Sequence, residues 1–234
     1  MKRAVIVMVV ATLFVGVSFG VPQTFFGEDA SAGGSLPVPN SDAAQAAFLA
    51  SLTGVRVEDF EGFAVGTTFP FDVHFGSDTA TLNGTSMISS TGVQGSPMAG
   101  RFAISGEQYL NVGSTDARSF TLSFSAPQAA FGFYATDIGD WAGQLTVSLD
   151  GSVLTVPHTV NAPDGSGLFF GVIDTANPFT TVAFGNTSGA LEDAFGFDDF
   201  TIGRRENVVP DGGATILLLA AGLLGSLGLR RRIS

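Results

Sequence analysis

Apolar and polar positions alternate through most of the middle of the chain. In "RSFTLSFS", Phe120, Leu122 and Phe124 share one face while Ser119, Thr121 and Ser123 share the other, which is the period of two of a half-buried strand. "GQLTVSLDGSVLTV" repeats the pattern at Leu145, Val147 and Leu149, turns at Asp150-Gly151 and returns from Val153. Asp-Gly between two alternating runs predicts a tight hairpin. "AAFGFYATD", "SGLFFGVID", "FTTVAFG" and "AFGFDDFTIG" follow at roughly even spacing, with turn residues between them. About ten short strands without intervening helices predict an all-β fold, an antiparallel β-sandwich of jelly-roll type, over residues 41–204. One segment departs from the pattern. "SDAAQAAFLASL" puts Phe48, Leu49 and Leu52 on one helical face, so one short N-terminal helix is expected, capped by Ser41 or Asp42. Residues 21–40 hold Gly, Ser, Pro and Ala without periodicity and read as a flexible linker.

The two ends follow different rules. "MKRAVIVMVVATLFVGVSFG" has two basic residues, an apolar run from Ala4 to about Val17, and small residues at Ser18 and Gly20. That order is a secretory signal peptide over residues 1–20, which places the body outside the cytoplasm. Its Gly16-Val-Ser18-Phe-Gly20 matches a nucleophile-elbow pattern, but outside a strand-to-helix turn the match is coincidence. At the other end, Ala214–Leu229 is an uncharged run of Leu, Ala and Gly followed by Arg230, Arg231 and Arg232. As a helix the run is ~24 Å long at ~1.5 Å per residue, slightly short of a hydrocarbon core of ~30 Å, a gap that snorkelling of flanking residues and bilayer thinning can absorb. A C-terminal transmembrane helix with its arginines in the cytoplasm is therefore expected within residues 205–234. Pro210-Asp-Gly-Gly breaks the chain just before it.

Turn, apolar span and basic tail together resemble the PEP-CTERM group of exosortase substrates, and especially its VPDSG-type variant. Val209, Pro210, Asp211 and Gly213 match, with Arg230–Arg232 after the span, while Gly212 stands where the variant has Ser. The resemblance implies an exosortase as processing partner, cleavage of the tail, and transfer of the body to the cell surface or extracellular medium, in a polysaccharide-rich milieu. A plain C-terminal membrane anchor is the alternative. The body phrases "VEDFEGF", "FGFYATDIGDWAGQLTVSLDG" and "FGFDDFTIG" are similar to ectodomains that accompany this signal, which implies a lectin-like, carbohydrate-binding sandwich.

Composition narrows the chemistry. Cysteine is absent, which excludes disulfides, thiolate zinc sites and a thiol nucleophile. His74 and His158 are the two histidines, too few for a His-rich metal centre. Net charge is −11, and between Val21 and Val209 twenty acidic residues face five basic ones. Such a body repels nucleic acid, whose binding needs clustered Lys and Arg.

Three acidic clusters carry the candidate chemistry: Glu58, Asp59 and Glu61; Asp137 and Asp140; Asp198 and Asp199. If the strands bearing the first and last are neighbours, Glu61 approaches Asp198 and Asp199. Oxygen-only clusters suit Ca²⁺, so Glu61, Asp137, Asp140, Asp198 and Asp199 are candidate calcium ligands. The competing reading is turn residues accepting local backbone N–H bonds. Paired carboxylates also serve glycoside hydrolysis, where their separation sets the outcome. Trp141, the sole tryptophan, is either an exposed ring stacking on a sugar or a cover for the core edge. The expected function is a non-catalytic binding or scaffolding protein associated with extracellular polysaccharide, the alternative a surface-attached glycan hydrolase.

Overall fold

A computed structural model describes residues 21–84, 86–90, 100–113, 120–188 and 194–205. The expected signal peptide, the sorting motif from Val209 to Gly213, the apolar span and Arg230–Arg232 lie outside the described residues. Among the described residues no helix is long and apolar enough to cross a membrane.

In chain order the elements are β1 (Gln23–Asp29), α1 (Pro39–Leu49), β2 (Thr53–Glu58), β3 (Phe71–Phe75) and β4 (Asp78–Asn83). Next come β5 (Met87–Ser90), β6 (Gln108–Val112), β7 (Phe120–Gln128), β8 (Ala130–Thr136) and β9 (Leu145–Leu149). Last are β10 (Ser152–Thr155), β11 (Gly167–Ile173), β12 (Phe179–Asn186) and β13 (Phe195–Arg204). One sheet runs β1-β11-β8-β13-β6-β5, with β2 also on β13; the other runs β10-β9-β12-β7-β4-β3. Every named pairing is antiparallel. The fold is thus an all-β antiparallel sandwich of two sheets with one helix. From β7 to β9, and again from β10 to β13, the chain crosses from sheet to sheet, so consecutive strands face each other across the core.

The alternating runs behave as the sequence predicts. Phe120, Leu122 and Phe124 are buried, and β9 buries Leu145, Val147 and Leu149 while Thr146 and Ser148 are half-buried. The β9–β10 turn holds Asp150 at φ 44° and Gly151 at φ 95°, the two left-handed residues that a two-residue hairpin needs. The core between the sheets is a lattice of phenylalanines. Phe184 stacks on Phe120 with centroids 4.3 Å apart and meets Phe133 and Phe197 edge-on at 5.0 and 5.1 Å.

β8 and β11 bury every residue rather than alternate, because both faces of their sheet are covered. The outer face carries a second cluster in which Phe48 of α1 packs with Val38, Phe102, Tyr134 and Phe169. Two glycines make room for Phe48. A Cβ on Gly132 would lie 2.8 Å, and one on Gly171 2.7 Å, from its ring. Gly171→Val should therefore lower the melting midpoint by about 5 °C, from an overpacking cost of ~1–3 kcal/mol at ~2–4 °C per kcal/mol. Thermal unfolding monitored by circular dichroism checks it.

Residues 21–40 differ from expectation. Instead of a linker they hold β1, paired with β11 from Gln23↔Ile173 to Asp29↔Gly167, and the start of α1. β1 is an edge strand with no fully buried residue, so it leaves no alternation to read; its partner lies more than a hundred residues away. The helix cap differs too. Val38 is the N-cap residue and makes no side-chain cap bond. The Asp29 carboxylate accepts N–H bonds from Asn40 (3.1 Å) and Ser41 (2.9 Å), and the Ser41 hydroxyl at 2.7 Å. A carboxylate from β1 thus satisfies the open donors of the first turn and complements the helix dipole.

Candidate functional site

β2 pairs with β13, with Glu58 opposite Phe200, so "VEDFEGF" and "FGFDDFTIG" do become neighbours. Their acids meet at the segment 104–108. Asp198, 1% exposed, accepts N–H bonds from Ile104 (2.7 Å) and Ser105 (3.1 Å) on Oδ2, and from Asp199 (2.8 Å) on Oδ1. Asp199 accepts the Ser105 hydroxyl at 2.6 Å. Glu61 Oε1 takes the N–H groups of Glu107 and Gln108 at 2.7 and 2.5 Å. Three carboxylates therefore grip one loop from two sides. A register shift in the β13–β8 pairing and a left-handed backbone at Asp199 (φ 49°) accompany this arrangement. Glu58 belongs to the same pattern, with N–H bonds from Phe60 (3.0 Å) and His74 (3.2 Å). Burial and the Asp199 charge push the Asp198 carboxyl up to about 8 against the pull of its three N–H donors. Burial also raises Asp199 and Glu58.

Asp137 and Asp140 sit elsewhere, after β8. Asp137, 4% exposed, accepts the Gly165 N–H at 2.9 Å and faces Arg101 Nε at 4.0 Å. Burial, foremost, raises its carboxyl to about 6, with the Gly165 bond and Arg101 opposing. Arg101 also donates to Asn111 Oδ1 at 2.8 Å, tying this corner to β6. Asp140 Oδ1 is buried without a hydrogen-bond partner among the described residues. The five candidate calcium ligands thus divide between two places. Among the described residues no group of three or more His, Asp and Glu is arranged to hold a metal ion.

Trp141 is not an exposed platform. It is 8% exposed and joins the main core, with its ring 5.8 Å from Phe195 and 6.1 Å from His158. The flanking Gly143 leaves no space over that ring, since a Cβ there would lie 2.0 Å from Cζ3. Alternation resumes right after it at Leu145, so the indole is drawn in with the strand start. His158 is buried too, and burial lowers its pKa. Its Nε2 accepts the Leu145 N–H at 2.9 Å and its Nδ1 lies 3.1 Å from Thr159 O. A neutral ring protonated at Nδ1 satisfies both contacts, which is a structural role.

A cleft that the sequence reading missed lies where β2 and β13 face the β3–β4 turn. It has a volume of about 280 Å³ and is lined by Arg56 and Arg204 together with Ser77, Asp78 and Gln128. None of the five acidic candidates lines it. Both arginines are exposed. Arg56 donates to its neighbour Val55 O at 2.8 Å and passes over Gly76, where a Cβ would come within 3.1 Å of its Nε. Among the described residues neither guanidinium has a carboxylate within 4.0 Å, for the one such ion pair is Arg101–Asp137. Gln128, 6% exposed, uses one amide N–H on Ala126 O (3.1 Å). The sequence signal was present but weak. Arg56, Arg204 and Arg205 are three of the five basic residues of the body, separated by about 150 positions and joined through the β2–β13 register.

No family model matches the chain, and no curated protein does. Among solved structures the chain is similar to a peptidoglycan O-acetylesterase, at 14% identity over 60% of this chain and 34% of that one, with a TM-score of 0.35. It thus spans about a third of that esterase's length. It is also similar to the CBM22-1 xylan-binding domain from Paenibacillus barcinonensis, at 16% identity over 61% and 97% of the two chains, with a TM-score of 0.32. A family 29 carbohydrate-binding module aligns at 12% identity over 63% and 89%, with a TM-score of 0.30. At these values no residue and no activity carries across.

Proposed function

We propose that the chain is an exported, exosortase-processed protein of the cell surface or extracellular matrix, whose β-sandwich binds or scaffolds extracellular polysaccharide without chemistry of its own. The observation that supports this best is the division of labour among polar groups. The buried carboxylates hold loops, whereas the arginines of the open inter-sheet cleft have no carboxylate within 4.0 Å among the described residues. A hydrolase needs two carboxyls flanking a bond in a cleft, and Asp137, Asp198 and Asp199 instead accept backbone or hydroxyl donors at buried positions. The crossing of the strands from sheet to sheet suits a jelly-roll winding.

Two measurements test the reading. Mass spectrometry of protein recovered from the cell surface should find neither residues 1–20 nor Arg230–Arg232; an intact tail removes the processing step. Affinity electrophoresis of that protein through gels containing polysaccharide should show retardation without release of reducing sugar. Release that disappears in Asp198→Asn or Asp137→Asn would establish the hydrolase instead. The proposed calcium dependence rests on residue types alone. Melting the protein in Ca²⁺ and in EDTA decides it, and equal midpoints remove it.

A further inference from the structure

We propose that the cleft between Arg56 and Arg204 recognises the carboxylate of a uronic-acid residue, so that the polysaccharide bound is an acidic one. This rests on the polysaccharide reading above and names the class of sugar.

The cleft is lined by two arginines that are distant in sequence, in a protein of net charge −11. Neither has a described carboxylate within 4.0 Å, although Asp78 lines the same cleft. Two cations lining one cleft make it favourable to an anion, whose binding offsets their charge. Guanidinium is also the group whose fork of N–H donors fits a carboxylate in two parallel bonds. Also lining the cleft are groups suited to sugar hydroxyls: the Gln128 amide, which retains an acceptor and a second N–H beyond its bond to Ala126, with Ser77 and Asp78. Phe75 and Ile202 add buried apolar groups to the lining. A volume of about 280 Å³ lies just below the ~300 Å³ at which pockets enclose drug-sized ligands. It therefore suits one sugar residue of a chain that continues outside the cleft.

The surrounding charge decides against denser polyanions. Twenty acidic residues against five basic ones in the body oppose a duplex with one charge per ~1.7 Å. A uronate polymer carries at most one charge per sugar and can place a single carboxylate in the cleft. Repulsion from the rest of the surface acts within a Debye length of ~10 Å at 0.1 M salt. Short oligo-uronides are thus expected to bind better than long ones at low salt, with the difference shrinking as salt rises.

The test compares the full chain with the double variant R56Q/R204Q by calorimetric titration with oligogalacturonate, its methyl ester and a neutral cello-oligosaccharide. Both arginines are exposed, so the variant should melt like the parent. Oligogalacturonate should bind the parent, and the variant should lose tenfold or more of that affinity, the scale of one charge-assisted hydrogen bond of ~1.5–3 kcal/mol; the methyl ester should bind both proteins weakly. Equal binding of charged and neutral sugars, unchanged in the variant, overturns the uronate inference and leaves the polysaccharide reading in place. Absence of binding to all three overturns both. Arginine-dependent retention on phosphatidylglycerol vesicles, with no retention of oligogalacturonate, overturns the inference in favour of a membrane surface.

Discussion

Replacing Asp198 by alanine should lower the melting midpoint by about 10 °C. The substitution strands the N–H groups of Ile104, Ser105 and Asp199, which now bond the carboxylate at 2.7–3.1 Å. Each stranded donor costs ~1–3 kcal/mol. Two of the three, at Ile104 and Ser105, are partly buried, which favours the low end, and a total of ~3 kcal/mol at ~2–4 °C per kcal/mol gives the stated fall. Asn at this position retains one carbonyl acceptor and should lose less. The two variants also separate in their pH dependence. The folded Asp198 carboxyl is pushed up to about 8, whereas in the unfolded chain it ionises near ~3.9. Below that lower value both states hold the proton and the favourable contribution of the protonated group is complete. As pH rises the unfolded state releases its proton first, so the folded state binds more protons and stability falls until about pH 8. Asp137, raised to about 6, adds a loss in the same direction that ends earlier. The parent should therefore melt lower at pH 8 than at pH 5, and Asp198→Asn should flatten that slope without abolishing it. A midpoint that rises from pH 5 to pH 8 in the parent would show that Asp198 is held ionised by its three donors.

Phe184→Ala should destabilise by a similar or larger amount. The ring is buried and lies within 4.3–6.2 Å of Phe120, Phe131, Phe133, Phe197 and Phe200, measured between centroids. Those neighbours come from both sheets, so the cavity opens where the two layers meet and cannot close by moving one loop. Phe→Ala in a core costs ~3–5 kcal/mol, which corresponds to a fall of roughly 10–15 °C for a chain of this size. Phe184→Leu keeps most of the volume and should recover more than half of the loss. Urea unfolding separates a lost contact from a changed unfolded state. The midpoint concentration should move while the slope stays constant. A Phe184→Ala variant within 2 °C of the parent would mean that the lattice repacks freely.

The two predictions sit on opposite sides of what the chain discloses locally. Phe184 was legible, because "FTTVAFG" places it in register with Val182 on the inward face, and alternation fixes which side of a strand meets the core. The role of Asp198 was only half legible. "FGFDDFTIG" shows two acids inside a strand, but a carboxylate's task depends on which donors reach it. Those donors come from residues 104, 105 and 199, two of them some ninety positions upstream. Trp141 shows the same limit. A ring next to an acid in a loop reads equally as a binding platform or a core cover, and its 8% exposure follows from Phe195 and His158, which approach from other elements.

From sequence alone came the antiparallel sandwich character of the body, the β9–β10 hairpin and the single helix. Each of these follows from a short-range rule, a side-chain period or a turn residue acting within about ten positions. The tertiary structure alone decided that β1 completes a sheet, that Asp29 caps α1, that a helix covers β8 and β11, and that Arg56 and Arg204 line one cleft. Those outcomes depend on pairings between segments far apart in the chain. A strand edge or a charge gains its partner only when burial of the phenylalanine lattice has fixed how the sheets lie.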